Sequence, residues 1–466
     1  MPFAAMSTTA SSAARTRTFS IHRSILRAAV SVGAAGVAVK LVATAKEISV
    51  AAVFGRSDVM DAFLAAALIP SLLVNLISES MNQALIPTLI RVREQEGRER
   101  AQELLSSSML WMCLLLGAAT LAMALLARAI FPLIASNFAP AKLTLSIRLF
   151  YGLLPIVLLT GIATSCTAIL NTLDRFALPA LAPVVISVSI IFGAAFLAGR
   201  YGIWAMVYAT VGGSLLHVAL VAWMMEAHGY RLRLRWYGMT EATREVAGQY
   251  CSVLLSSLVS SGGLLVDQAM AAMLLAGSVS ALVYANRFVS VVLTLLAGAV
   301  STAIVPYISR LIAYHDWDGC RATLRTWVRL TAIVSVPIAL LLIAGARPLV
   351  RVAYQHGHFG SRDTAVVASV LAMFAIQIPF YATSRVYYRF IVAMRRTDLI
   401  LYCGMLNLGL DIVLNLVLMR WLGVAGIALA TSLWMVSTCV LLDHWARVLL
   451  REAGDRMERS DGGRAF

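Results

Sequence analysis

One apolar stretch, residues 54–89, most constrains the fold, because it could cross a membrane and yet carries acidic and amide side chains. Read as a helix, it forms one polar stripe at positions i, i+4, i+7, i+8 and i+11, made of Ser71, Asn75, Ser78, Glu79 and Asn82. Hydrocarbon cannot satisfy such groups, so we expect the stripe to face a water-filled cavity or another polar helix. The alternative is a stripe that only joins helices through side-chain hydrogen bonds.

The composition of the whole chain predicts an all-α polytopic membrane protein. It is 60% hydrophobic and 13% charged, whereas a soluble protein of this length has roughly a quarter charged residues. The net charge of +15 is first a topology signal, so we expect membrane lipids and no nucleic acid as partners. The six cysteines form no CxxC pair or Cys/His cluster, and the sequence predicts neither disulfides nor a zinc site.

Hydropathy predicts about twelve transmembrane helices. Several exceed the roughly 20 residues that a span needs, so tilted or kinked helices are expected. The approximate limits are 26–53, 60–90, 105–131, 145–170, 177–199, 201–226, 246–275, 279–311, 323–353, 363–391, 398–420 and 422–447.

Arginines concentrate in alternate loops, which predicts that both termini lie in the cytoplasm. The predicted organisation is a disordered basic cytoplasmic tail, a six-span N-lobe, a cytoplasmic linker, a six-span C-lobe and a charged cytoplasmic tail. These correspond to residues 1–24, 25–226, 227–245, 246–449 and 450–466.

Two sequence similarities at nearly equal offsets indicate an internal repeat. QALIPTLIR resembles TAIVPYISR 219 residues later, and YGIWAMVYAT resembles LGVAGIALAT 221 residues later. The residues that recur are Ala84, Pro87 and Arg91 as Ala303, Pro306 and Arg310, and Gly202, Ala209 and Thr210 as Gly423, Ala430 and Thr431. A repeat of six spans is even, so the sequence predicts two parallel six-helix repeats around a central cavity.

Charged residues inside predicted spans need a reason, because each costs roughly 2.5–3.5 kcal/mol at mid-bilayer. Lys40 and Arg287, together with Lys46, are candidates for an anion site between the halves; the alternative is ion pairing with Glu47 or Asp267. For Glu47 and Asp267, coupling to a cation competes with simple charge balance. Lys40 and Glu47 are seven residues apart and share a helix face, whereas Lys46 is expected to point elsewhere.

The sequence contains no nucleophile elbow, Walker A run or HExxH motif, and we expect a transporter without enzymatic activity or cofactors. His356 and His358 could be a metal pair, but two loop histidines without further ligands are more often polar loop residues, and we predict no metal site.

Several motifs, taken together, resemble the MurJ/MviN lipid II flippase family of the multidrug/oligosaccharidyl-lipid/polysaccharide exporter superfamily. The run FGRSDVMDAFLAAALIPSLLVNLISESMNQALIPTL resembles its longest motif, and ILNTLDRFALPALAP, YANRFVSV and YQHGHF resemble three shorter ones. The matching residues include Asp61, Ala62, Phe63, Pro70, Glu79, Pro87, Asn171, Arg175, Phe176, Pro179, Pro183 and Arg287.

The resemblance implies a flippase that moves an undecaprenyl-diphosphate-linked saccharide by alternating access, with basic residues binding its diphosphate. Two family arginines in the first helix are Lys40 and Lys46 here, and a second arginine pair is replaced by Val74 and Asn75. Lysine keeps the charge and loses the bidentate fork. The family commonly has fourteen spans, two more than the predicted number.

We therefore expect a multi-pass bacterial inner-membrane flippase whose cargo is the peptidoglycan precursor lipid II. Alternatives are a flippase for another lipid-linked glycan, such as an exopolysaccharide or O-antigen unit, a cation-coupled drug exporter of the same superfamily, or a non-transporting scaffold. The substrate-binding candidates are Lys40, Lys46, Arg287, Asn75, Glu79, Asn82 and Asp61, and Glu47 and Asp267 are the coupling candidates.

Overall fold

The computed structural model of the chain describes residues 35–134, 138–173 and 177–462, and the predicted tail at 1–24 lies outside them. Within these ranges the chain is helical, without a β-strand, and the predicted all-α class is confirmed. The helices are α1 (35–54), α2 (Asp58–Gln95), α3 (Arg98–Ile134), α4 (Pro140–Thr172), α5 (Leu178–Tyr201), α6 (Trp204–Ala227), α7 (Glu241–Ala272), α8 (Ser278–Ala313), α9 (Trp317–Ala344), α10 (Ala346–Tyr354), α11 (Ser361–Ala393), α12 (Thr397–Leu422) and α13 (Val424–Gly462).

In the described part of the chain, ten of these helices are long and apolar enough to cross a membrane. They are α2 to α6, α8, α9 and α11 to α13. Helices α1 and α7 occupy the positions of the predicted first and seventh spans, and the total of twelve stays a prediction. Because successive long helices run in opposite directions, the loops form two sets. We call the end of the bundle that contains the loops at 96–97, 228–240, 314–316 and 394–396 the basic end. Five arginines lie in two of these loops, and Arg93, Arg98 and Arg310 lie at the helix ends beside the other two.

Helices α1 and α7 each pack against the other half of the chain. Ala51 of α1 is buried in a core whose other members come mostly from residues after 270. Conversely, Val246 and Tyr250 of α7 pack in a core made by α2, α3, α4 and α6. Each half therefore contributes its first helix to the packing of the other, which holds the two halves together.

Local chemistry explains where the helices begin and break. The side chains of Ser57, Thr240 and Asp316 accept hydrogen bonds from backbone N–H groups in the first turns of α2, α7 and α9. Gly202 and Gly423 adopt nearly the same left-handed conformation, with φ of 55° and 57° and ψ of −134° at both, between consecutive antiparallel helices. A duplicated turn would have this property, and the repeat as a whole stays a prediction.

Helix α2 is not a regular α-helix throughout. Its middle, Val74–Glu79, is a π-helical segment between the α-helical segments Asp58–Leu73 and Ser80–Gln95. Such bulges insert one residue into the helix and change which residues share a face. The bulge lies in the middle of the polar stripe that the sequence analysis singled out.

Candidate functional site

Three charged residues from the two halves form one ion-pair cluster. The Glu47 carboxylate on α1 accepts from Lys46 Nζ at 3.0 Å, Arg287 Nε at 2.9 Å and Arg287 Nη2 at 2.8 Å. Glu47 is buried, and 36% of the Arg287 side chain is exposed. We call Lys46, Glu47 and Arg287 the charge cluster. Both cations reach one carboxylate oxygen, so the cluster keeps a net positive charge and an accessible guanidinium.

Lys40 lies on the same helix, seven residues before Glu47 and about 10 Å nearer the basic end. It is partly buried, and within the described residues its ammonium has no carboxylate partner. Of the pairings considered from the sequence, Arg287 takes Glu47 and not Asp267. The expectation that Lys46 points away from Glu47 is wrong, because its flexible side chain reaches the neighbouring carboxylate.

The prediction that the five-residue polar stripe lies on one face is wrong in part. Ser71, Asn75 and Glu79 are exposed, whereas Ser78 and Asn82 are buried. Asn82 Nδ2 donates to the Thr164 carbonyl oxygen at 3.4 Å. The π-helical segment explains the split, since its wider turn spaces exposed residues four apart and rotates Ser78 and Asn82 into the interior.

Asp61 has a different environment from the other candidates. Its side chain is buried, and its two carboxylate oxygens accept from the backbone N–H groups of Gly277 at 2.6 Å and Ser280 at 2.9 Å. Lys142 Nζ is 3.3 Å from the same carboxylate. Asp61 thereby caps the N-terminus of α8 from the other half of the chain, and its oxygens already have partners.

Further contacts beside Asp61 close the end of the bundle opposite the basic end. Arg56 pairs with Asp363 at 3.0 Å, and the Tyr284 hydroxyl donates to the Gly55 carbonyl at 3.2 Å. In the loop that contains the two histidines, the His358 backbone N–H donates to the Ala52 carbonyl at 2.9 Å. We call these contacts, with the Asp61 cap, the closing contacts. Every one joins a residue before 143 to a residue after 275.

A second polar cluster lies within the C-terminal half. Asp267 accepts from Asn415 Nδ2 at 2.8 Å and from the Thr431 hydroxyl at 2.9 Å, and Asn415 Nδ2 also lies 3.3 Å from Asp411 Oδ1. All four residues are buried. Asp411 Oδ2 and Asn415 Oδ1 have no hydrogen-bond partner within the described part of the chain. An unpartnered carboxylate oxygen and an unpartnered amide oxygen, beside a second carboxylate, make a suitable environment for a small cation.

The sequence analysis assigned a role to Asp267 and none to its three partners. Asp411 and Asn415 are spaced i, i+4 on an apolar helix, and this pair was the available signal. Thr431 gave no signal of its own. Its residue type is common in membrane helices, where the hydroxyl bonds the preceding turn, as Thr431 also does with the Ile427 carbonyl.

Comparison with known proteins extends this description. The family described as "Lipid II flippase MurJ" matches residues 50–450. A probable lipid II flippase MurJ of Buchnera aphidicola is 23% identical over 414 residues, covering 88% of this chain and 81% of the relative. That of Rhizobium meliloti is 25% identical over 442 residues, covering 91% and 82%.

Solved structures have the same fold. A lipid II flippase MurJ in an inward closed conformation superposes with a TM-score of 0.78 at 23% identity, covering 89% of this chain and 87% of that one. An inward-facing multidrug resistance MATE family transporter gives a TM-score of 0.73 at 12% identity, covering 92% and 99%. Because the family match extends over most of the chain and the fold agrees, this protein belongs to the MurJ lipid II flippase family.

Proposed function

We propose that the protein is a lipid II flippase of the bacterial inner membrane, which moves the undecaprenyl-diphosphate-linked precursor of peptidoglycan from the inner to the outer leaflet by alternating access. The observation that carries the proposal is the charge cluster, in which cations from the two halves of the chain meet at Glu47 within 3.0 Å. We further propose that both termini are cytoplasmic, so that the basic end faces the cytoplasm.

The charge cluster and Lys40 suit a diphosphate. Three cations against one carboxylate leave a net positive charge of two, which balances two negative charges of the lipid diphosphate. The exposed part of Arg287 offers N–H donors to phosphate oxygens without breaking its bond to Glu47. A headgroup that arrives from the basic end would meet Lys40 first and the charge cluster about 10 Å further in.

The exposed residues of α2 supply hydrogen bonds for the saccharide. Ser71, Asn75 and Glu79 follow one another at intervals of four residues, and all three are exposed. Amide and carboxylate groups of this kind bind sugar hydroxyls or water and would be costly against lipid. In this proposal Asp61 and Asn82 do not bind cargo, since both are buried with protein partners, and Asp61 instead closes the outer end.

The closing contacts support a state that loads cargo from the cytoplasm. They lie at the end opposite the basic loops, so they block the outer exit while the charge cluster remains partly exposed. Transport would require them to break. An inside-negative potential favours outward movement of two diphosphate charges by about 4.6 kcal/mol per 100 mV, at roughly 2.3 kcal/mol per charge.

We also propose that a monovalent cation couples to transport at Asp267. Between the two coupling candidates, Glu47 is already neutralised by two cations, whereas the Asp267 carboxylate has neutral partners. Asp411 adds a second carboxylate and an unpartnered oxygen to that cluster. Binding of Na⁺ or a proton there would offset the cost of two buried acids and could favour one of the two transport states.

A second candidate cargo is another lipid-linked glycan, and one observation favours it. Val74 and Asn75 stand where the resemblance places two family arginines. Asn75 is one of the exposed α2 residues proposed to bind the saccharide, which we call the headgroup wall. The wall is therefore less cationic than the family pattern, while the charge cluster for the diphosphate remains.

The decisive experiment is depletion of the essential lipid II flippase in a bacterial host that expresses this protein, scored by growth and lipid II accumulation. Rescue supports lipid II as cargo. Continued lipid II accumulation with the protein shown to be in the membrane would contradict it and leave another lipid-linked glycan as the cargo. Arg396→Gln is the matched control for variants that remove the charge of Lys40 or Arg287, because this exposed arginine pairs locally with Asp398.

A further inference from the structure

A cavity of about 590 Å³ lies inside the C-terminal half, among α7, α8, α11, α12 and α13. Asp267, Asp411 and Thr431 line one part of it, and Tyr388, Thr397 and Leu442 line another. Lys46, Glu47 and Arg287 are not among its lining residues, although Asn286, next to Arg287, is.

The cavity extends from the basic end to the carboxylates. Thr397 is the first residue of α12 at the basic end, and Asp411 follows fourteen residues later, which is about 21 Å along the helix axis. Cys403, Asn407 and Asp411 line the cavity at successive turns of that helix. The part of α12 that lines the cavity is thus about half of the helix, and it ends at Asp411 beside Asp267.

Unpartnered polar atoms indicate what fills the space. Arg385 Nε, Asn407 Oδ1, Asp411 Oδ2 and Trp434 Nε1 are buried without a hydrogen-bond partner in the described part of the chain, and all four residues line the cavity. Buried donors and acceptors that line a cavity of this size are normally satisfied by water. Asp411 is fully buried, and it lies at the inner end of the α12 residues that line the cavity.

Arg385 stands between the basic end and the acids. It is eight residues before the end of α11 at Ala393, about 12 Å along the axis. The Tyr381 and Tyr388 rings lie 4.5 Å and 5.6 Å from its guanidinium, and no carboxylate pairs with it within the described residues. A fixed positive charge on the path opposes the passage of cations.

We propose that this cavity is a water-filled passage by which the coupling cation moves between the basic end and Asp411, and that Arg385 controls the rate of that movement. The proposal rests on the cation site of the proposed function. It adds that the ion and the lipid headgroup use different routes through the protein. The ion passes within the C-terminal half, whereas the headgroup passes between the halves.

Three native cysteines provide the test without any substitution. Cys403 lines the cavity, whereas Cys166 and Cys320 do not, and all three are at most 3% exposed. Vesicles of each orientation are treated with a membrane-impermeant cationic methanethiosulfonate or with Ag⁺, and modification of each cysteine is measured by mass spectrometry. We expect Cys403 to react from the basic end at least tenfold faster than Cys166 and Cys320, and more slowly when Na⁺ or protons occupy Asp411.

The passage is ruled out if Cys403 is as unreactive as the two control cysteines, or reacts only from the opposite side. Because the native Cys403 thiol lies against one wall, Ser384→Cys supplies a second reporter on α11, which also lines the cavity. Ser335→Cys is its control, since Ser335 is buried on α9 and hydrogen-bonds the Thr331 carbonyl.

The role of Arg385 is tested by substitutions that remove or keep its positive charge. Arg385→Gln should increase modification of Cys403 by the cationic reagent roughly tenfold relative to an anionic one, the effect of one nearby charge in a partly hydrated passage. Arg385→Lys should keep the wild-type ratio, and Arg321→Gln, at an exposed position on α9 away from the cavity lining, should not change it. An unchanged ratio in Arg385→Gln would exclude control by Arg385.

Transport of lipid II by the same protein, measured with and without Na⁺ or a proton gradient, separates the two proposals. Accessible Cys403 with cation-independent transport would contradict the coupling but keep the passage. Unreactive Cys403 with cation-dependent transport would contradict the passage but keep the coupling.

Discussion

The Asp61 carboxylate accepts a hydrogen bond from the Ser280 backbone N–H at 2.9 Å, although 219 residues separate them in the sequence. One side chain of the N-terminal half thus caps a helix of the C-terminal half at the end opposite the basic end. A charged acceptor to two backbone donors is worth about 1.5–3 kcal/mol per bond. This relationship ties helix formation in one half to closure against the other.

Asp61→Asn should therefore favour opening of the outer end, because the amide presents one acceptor where the carboxylate presents two. In an Ala52→Cys/His358→Cys background, whose backbones are hydrogen-bonded in the closed state, we expect disulfide crosslinking to fall several-fold. Asp58→Asn is the control, as its exposed carboxylate pairs with Lys142 of the same half of the chain. Unchanged crosslinking would show that the cap does not hold this end closed.

Removing charge from the anion site should abolish transport while leaving the protein inserted. In Lys40→Gln/Arg287→Gln, the site loses two of its three cations and the exposed guanidinium. We expect lipid II transport in proteoliposomes to fall by at least a hundredfold, with normal protein levels in the membrane. Full transport by this double variant would disprove the anion site.

Glu47→Gln should have the opposite effect on affinity. Without the carboxylate, Lys46 and Arg287 lose their common partner and present more positive charge to the diphosphate. We expect lipid II to bind about tenfold more tightly and to be transported more slowly, because release is impaired. Native mass spectrometry gives the affinity, and Glu226→Gln, at an exposed position on α6, is the control.

Asp411→Asn should abolish the cation dependence of transport without preventing lipid II binding. The substitution keeps the side-chain volume and removes one of the two carboxylates from the cluster with Asp267. The measurement is transport as a function of Na⁺ and of pH, with Asp443→Asn as control, since Asp443 pairs with Arg447 away from the cavity lining. Wild-type cation dependence in Asp411→Asn would place the coupling elsewhere.

A stability prediction concerns the tight turn between α12 and α13. A Cβ atom on Gly426 would lie 2.2 Å from the Leu418 carbonyl oxygen, and backbone cannot move aside cheaply. Gly426→Ala should lower the free energy of unfolding by about 1–3 kcal/mol. Gly212→Ala, where a Cβ meets nothing within 4 Å, should be neutral in the same thermal unfolding series in detergent.

Much of the fold follows from sequence, and the site follows only in part. Apolar length, a local property, was enough to locate most of the long helices, whereas the span predicted at 323–353 is divided at Gly345 into α9 and α10. The pairing of Arg287 with Glu47 was one of two open alternatives, because periodicity does not say which helices are neighbours. The inward turn of Asn82 depends on a π-helical segment, and the partners of Asp61 depend on the packing of two halves. Neither the π-helical segment nor the packing of the halves can be recognised from a short stretch of sequence.

The π-helical segment Val74–Glu79 makes α2 a helix whose middle residues can rotate about the helix axis. It stores one surplus residue, and moving that residue along the chain would rotate the residues between its old and new positions by about 100° about the helix axis. Such a rotation needs no break in the backbone hydrogen bonding beyond one turn. Asn82, now against the Thr164 carbonyl, would then exchange places with neighbours on the exposed side. The headgroup wall could thus change its polarity during a transport cycle while both ends of α2 stay anchored.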